Sequence, residues 1–286
     1  MCMGFGCNAA GVMGCRIIDS ERERLIAILT NSFVPCNGRF PTLISIITMF
    51  FLGAATGFFS TALSALLLTG VILLGILMTF GASLLLSKTV LKGISSSFAL
   101  ELPPYRKPQV GRVIVRSMLD RTLFALGRAA AAAAPAGLLL YILANTQVGG
   151  VSLLAKVAGF FDPFAVLLGL DGVIFTAFLL GLPANEIVFP IIIMAYLMEG
   201  RILEMESLTA LKALLVENGW TWKTALSTMI FSLFHWPCAT TLMTVHKETG
   251  KMRWTLLACL LPTALGMLLL LLFNGAYWLF SSGFAF

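Results

Sequence analysis

Six cysteines, one isolated glutamate and two asparagines beside chain breaks carry the chemistry this sequence offers. Glu186 is the only charged residue between Asp171 and Glu199. It follows Gly181-Leu182-Pro183-Ala184-Asn185, where a glycine and a proline interrupt an apolar, membrane-length segment. A carboxylate at membrane depth costs about 2.5–3.5 kcal/mol on insertion scales, so a chain that keeps one uses it. The broken backbone beside it frees amides and carbonyls that lipid cannot satisfy but an ion or a polar cavity can. Near the chain start, Gly4-Phe5-Gly6-Cys7-Asn8 places Gly and Asn at the same offsets. Pro35-Cys36 and Pro237-Cys238 form a second matched pair. Carboxylate and amide oxygens suit hard cations and thiolates soft ones, and a mixed set suits a borderline divalent ion such as Fe²⁺. A conducting site must also be too weak to trap its ion, which few charged ligands achieve. The chain reads as a channel or carrier with Cys7, Glu186, Cys238 and Cys36 along its path. Gly4, Gly6, Asn8, Gly181, Pro183, Asn185 and Pro237 shape the breaks. His235 is a further candidate ligand, although a histidine beside a residue such as Trp236 is more often interfacial than ligating.

The elements that hold these residues are membrane helices. The chain has 286 residues, 59% hydrophobic and 11% charged, with a mean hydropathy of +0.96, a composition that fits several spans and no soluble domain. The expected fold is an all-α polytopic membrane protein with two broken or re-entrant gate segments related as an inverted repeat. The first gate and a cytoplasmic loop occupy residues 1–39, and two spans fill the uncharged stretch 40–87, turning near Gly53–Thr61. A basic loop follows at 88–121, then a span, a surface segment and the second gate at 122–198. An extracytoplasmic amphipathic segment covers 199–223, with Leu203, Leu208, Leu211 and Leu215 on one side, and two spans close the chain at 224–286.

Charge sets the orientation. Fifteen of the 19 basic residues, among them Arg16, Arg22, Arg24 and Arg39, lie in three loops that should face the cytoplasm. The net charge of +6 therefore marks membrane topology rather than nucleic acid. The stretch after Asn8 runs into basic Arg16, whereas the stretch after Asn185 runs into acidic Glu199. Opposite orientation is what an inverted repeat requires, with the ion site near the midplane between the copies. No cleavable signal peptide is expected, and the sequence holds no phosphate-binding Gly-x-x-x-x-Gly-Lys-Ser/Thr and no Cys-x-x-Cys pair. Cys2, Cys15 and Cys259 read as packing residues.

These motifs carry a family likeness. Gly4-Phe5-Gly6-Cys7-Asn8, Cys15-Arg16-Ile17-Ile18-Asp19-Ser20 and Val34-Pro35-Cys36-Asn37-Gly38-Arg39 resemble the first gate region of the ferrous iron transport protein B (FeoB) family. Glu101-Leu102-Pro103-Pro104-Tyr105-Arg106 resembles its cytoplasmic loop, Gly181–Ile187 its second gate, and Phe234-His235-Trp236-Pro237-Cys238 its late cysteine-bearing helix. The resemblance implies Fe²⁺ uptake across the bacterial inner membrane, with Fe²⁺ as transported substrate and no permanently bound cofactor. It also implies an upstream half with a GTP-binding domain, a small cytoplasmic accessory protein and a homo-oligomer as partners. Any GTPase activity would reside in that other half, so this chain is not expected to be an enzyme, nor to conduct alone. Two rivals compete: a carrier for an organic solute such as a nucleoside, and a non-transporting membrane scaffold.

Overall fold

The computed structural model describes residues 2–52, 58–93, 109–116, 119, 123–197 and 208–283. The loop motif Glu101–Arg106, most of the expected turn near Gly53–Thr61 and the beginning of the acidic segment lie outside those residues. The helices are α1 (Asn8–Gly14), α2 (Glu21–Thr30), α3 (Phe40–Ile46), α4 (Phe58–Lys88), α5 (Val110–Arg116), α6 (Phe124–Asn145), α7 (Leu153–Leu167), α8 (Gly172–Leu180), α9 (Val188–Leu197), α10 (Leu208–Glu217), α11 (Trp222–Phe234), α12 (Ala239–Thr249) and α13 (Met252–Gly283). A two-residue hairpin, Gln147–Val148 with Val151–Ser152, joins α6 to α7.

Two helices, Thr61–Lys88 within α4 and Met252–Phe280 within α13, are long and apolar enough to cross a membrane. Their leucines and phenylalanines stay exposed on the surface, Leu66, Leu77 and Phe80 on α4 and Leu272 and Phe280 on α13 among them. An all-round apolar helix with an exposed apolar face is stable only where lipid covers it. The pair α7 and α8, bent by 109° at a short break, would add a third span or a re-entrant loop.

Apart from the 22-residue α6 and the 15-residue α7, the remaining apolar elements are short helices, and their contacts reveal two ends and a middle. At one end Arg16 donates to both carboxylate oxygens of Glu248, at 2.7 and 2.5 Å, and Arg22 Nε donates to Leu91 O at 2.5 Å. Val12, Cys15, Leu25, Leu86, Val245 and Trp254 pack together beneath them. At the other end Tyr196 donates to Asp171, and Trp220 Nε1 donates to Tyr196 Oη at 2.8 Å. Phe50 stacks on Trp220 at 5.8 Å there, and Trp222 meets Tyr277 at 5.7 Å. Thus α2 leaves the Arg16 end and α3 continues to the Phe50 end, whereas α11 leaves the Trp220 end and α12 continues to the Glu248 end. The two discontinuous helices run antiparallel, each interrupted half-way.

Asp171 begins α8 and Tyr196 lies in the last turn of α9, so α8 and α9 enter and leave at the same end as a hairpin. Nine or ten residues rise about 14–15 Å, so the hairpin tip reaches about half the depth of a 30 Å hydrocarbon core. Ser20, Ser152, Asp171 and Thr221 cap the first turns of α2, α7, α8 and α11 with side-chain oxygens.

Three expectations change. The first arm of the stretch 40–87 is α3 with its π-helical extension Ile47–Leu52, a short half-helix that continues α2 rather than a full span. On α10, Leu211 and Leu215 are buried against the core while Leu208 is exposed. Arg39 is not a loop residue at the membrane surface: it is 1% exposed and sits in the protein interior. The Arg16–Glu248 pair, by contrast, is exposed on the arginine side, where Glu248 holds the guanidinium even more firmly protonated. Exposed pairs contribute about 0–1 kcal/mol. Arg16→Ala should therefore leave the thermal unfolding midpoint in detergent nearly unchanged at physiological salt.

Candidate functional site

Four chain breaks meet at mid-depth. In the first, Gly6-Cys7 leads into α1; in the second, Val34–Gly38 separates α2 from α3. The third is the hairpin tip Gly181–Ala184, and the fourth is His235–Cys238 between α11 and α12. Pro183 and Pro237 remove amides in the third and fourth, and Pro35 does so in the second. Gly181 lies so close to Val188 that any β-carbon there would collide with its side chain.

Backbone hydrogen bonds stitch the breaks pairwise. Asn37 N–H donates to Gly6 O at 3.3 Å, and Ala239 N–H donates to Leu182 O at 2.8 Å. In each pair the residue after a Pro-Cys reaches the carbonyl of a gate turn. The residues entering the two gate helices also match in backbone. Cys7 has φ −152° and ψ 124°, and Ala184 has φ −150° and ψ 120°.

Asn185 is a side chain that ties the hairpin tip to the second and fourth breaks. It is 7% exposed; its Nδ2 lies 3.9 Å from Cys36 Sγ and its Oδ1 lies 3.2 Å from His235 Nε2. His235 is 1% exposed, with Nδ1 2.9 Å from Ser232 O and 3.2 Å from Phe231 O. Facing two acceptors, Nδ1 must carry the proton, so in the neutral ring Nε2 offers a lone pair. The consistent amide orientation is then the flipped one, with the Asn185 N–H toward His235 and its oxygen toward the Cys36 thiol. His235 is therefore a buried residue of the break, not an interfacial one.

Glu186 sits next to Asn185 with its carboxyl exposed on the surface of the chain. A β-carbon at Gly38 would stand 3.0 Å from Glu186 Cγ and 3.2 Å from its Oε1, so the carboxylate rests against the second break. Cys36 is 9% exposed, Cys238 is partly buried with Sγ 3.2 Å from Thr241 Oγ1, and the Cys7 thiol is exposed. Cys36, Asn185, Glu186 and His235 are thus brought together. Cys7 reaches them through the Gly6–Asn37 contact, and Cys238 through the Ala239–Leu182 contact. Among the described residues no group of three or more His, Cys, Asp or Glu side chains is placed to hold a metal ion together.

Asn8 is 3% exposed, and Asn31 Nδ2 donates to its carbonyl at 2.9 Å. Gly4 and Gly11 press on the Asn31 amide, and a β-carbon at Gly4 would lie 2.8 Å from its Oδ1. Asn31, Asn37 and Thr241 belong to this region without standing out in the sequence, because their roles run through local contacts rather than a motif.

A family model described as "Ferrous iron transport protein B C terminus" matches residues 68–121, and one described as "Nucleoside recognition" matches residues 113–252. A Staphylococcus aureus (strain MSSA476) protein named Fe(2+) transporter FeoB is 29% identical over 280 residues, which is 96% of this chain and 39% of the relative. The chain is thus similar to FeoB proteins over nearly its whole length. FeoB proteins of the same name from Leptospira interrogans (strain Fiocruz L1-130) and Methanocaldococcus jannaschii are each 27% identical, over 87% and 90% of the chain. The chain spans about two fifths of the length of these FeoB relatives. No solved structure matches it. With its apolar helices, the chain is a multi-pass protein of the bacterial inner membrane.

Proposed function

We propose that this chain forms the conducting part of a ferrous iron uptake system, with Fe²⁺ as its substrate. The meeting of the Pro35-Cys36 break, the Asn185-Glu186 tip and His235 carries the proposal. There a neutral imidazole nitrogen, a thiol, an amide and, beside the amide, a carboxylate come from three separate segments and gather at mid-depth. Such a mixed set favours a borderline divalent cation over Mg²⁺ or Na⁺. Its looseness, with no preformed cluster, suits passage rather than storage.

In this reading the two halves of the chain are inverted copies. The order of elements supports it: a gate turn, a half-helix, a Pro-Cys-interrupted helix and a long span occur twice. So do the matched torsions at Cys7 and Ala184 and the antiparallel course of α2–α3 and α11–α12. Cys7 and Cys238 then line the approaches to the shared site from opposite ends. A half carrying a GTP-binding domain, in the same polypeptide or a separate one, completes the system, and an accessory protein and self-association remain partners to find.

The test is uptake of radiolabelled Fe²⁺ and of uridine by the complete system in whole cells. Cys7→Ser and Cys238→Ser should each lower Fe²⁺ uptake by roughly tenfold, the scale set by perturbing metal ligands. Undiminished iron uptake in both variants, or saturable uridine uptake, would overturn the iron reading in favour of an organic-solute carrier.

A further inference from the structure

Arg39 is the largest fully buried side chain among the described residues. Its guanidinium donates to Ser32 O at 3.1 Å, Leu233 O at 2.7 Å and His235 O at 3.2 Å, and its Nε has no partner. No ion pair to it is found among the described residues. A buried cation without a carboxylate is costly, so what surrounds it must replace one.

The replacement is a pair of helix ends. Ser32 lies in the turn that ends α2, and Leu233 and His235 terminate α11. The last carbonyls of a helix have no partner within it, and the aligned peptide dipoles leave about half a negative charge there. At α11, the His235 ring covers the Phe231 and Ser232 carbonyls, while Arg39 covers those of Leu233 and His235. Carbonyls at unwound helix ends are themselves cation ligands in membrane carriers. Arg39 reaches them from the residue after Gly38, the glycine against which Glu186 rests.

We propose that Arg39 is a tethered cation: its guanidinium fills a carbonyl-lined cation site between the ends of α2 and α11, and so excludes a free ion from it. The travelling ion is thereby confined to the side of the breaks that carries thiols and Glu186. Carbonyl oxygens favour hard ions, so the blocked site is one that would bind Mn²⁺ or Mg²⁺ in place of a softer metal. The proposal concerns a place where no ion goes, and it stands whether or not iron is the substrate.

Mn²⁺ binding to the detergent-purified full chain, followed by electron paramagnetic resonance, tests it. Arg39→Ala should bind Mn²⁺ more tightly by on the order of ten-thousandfold, the effect of removing one unit charge about 6 Å from a divalent ion in an effective dielectric near 20. Guanidinium ion should compete that added binding away. Arg39→Lys, which keeps a charge beneath the same carbonyls, should stay close to the unsubstituted chain. If Arg39→Ala does not fold unaided, recovery of its folded form by guanidinium or Mn²⁺ would support the same conclusion. A folded Arg39→Ala with unchanged Mn²⁺ affinity would overturn it. So would a gain indifferent to guanidinium, an equal gain in Arg39→Lys, or an unfolded variant that neither cation restores.

Discussion

Glu186→Gln is expected to lower Fe²⁺ uptake by on the order of 100-fold while leaving the protein as stable as before. The two halves of that statement have separate grounds. The carboxylate is exposed, and no hydrogen bond or ion pair to it is found among the described residues. Gln is nearly isosteric and accepts hydrogen bonds through one oxygen, so packing against Gly38 is preserved. What disappears is the carboxylate at mid-depth, the one acidic group among the described residues placed beside Asn185 and near Cys36 to offset a divalent cation. Even residues that only support metal ligands cost 10–100-fold when lost, and a direct partner belongs at the top of that range. Uptake rates in cells, paired with thermal unfolding of the purified variant, separate the two effects. Unchanged uptake would favour a scaffold with no conducting role.

Gly172→Ala should be the most damaging of the conservative glycine substitutions, costing about 3 kcal/mol, the upper end for overpacking a closely fitted site. Gly172 starts α8, and a β-carbon there would collide with the Ala158 carbonyl oxygen and stand 2.8 Å from its carbon. Those atoms are backbone, and they cannot swing aside. The Asp162 carboxylate also accepts from the Gly172 amide at 2.9 Å, so moving α8 away breaks a second contact. Because α8 carries the hairpin tip, a displaced α8 takes Asn185 and Glu186 with it. Gly137→Ala is the matched control, since nothing lies within 4 Å of the added carbon. The measurement is the unfolding midpoint in detergent: a clear drop for Gly172→Ala and none for Gly137→Ala is expected.

Much of the site was legible in the sequence because lipid penalises the same features that function requires. Glu186 stood out as a charge where charges are expensive, and Gly181, Pro183 and Pro237 as breaks where breaks leave carbonyls bare. Arg39 reads as loop charge in the sequence for a physical reason. Pro35-Cys36-Asn37-Gly38 reads as a turn, and a basic residue after a turn reads as loop charge. The turn is instead the mid-depth break of a discontinuous helix. Its outer half, α2, carries Glu21, Arg22, Glu23 and Arg24 and so does not look like membrane sequence at all. His235 was ambiguous because its pairing with Asn185 spans fifty residues of chain, a distance no local pattern encodes. The reverse holds for α4 and α13, whose uninterrupted apolar runs have no competing interpretation.

If Cys7, Cys238 and Glu186 share one ion path, thiol labelling detects it. The most direct measurement uses chains that retain only Cys7 or only Cys238, in membrane vesicles of the complete system, labelled with a water-soluble thiol reagent. Both thiols should react, Fe²⁺ but not Mg²⁺ should slow both reactions, and Glu186→Gln should abolish the protection. Labelling of either thiol at the same rate with and without Fe²⁺, or protection that survives Glu186→Gln, would contradict a shared path.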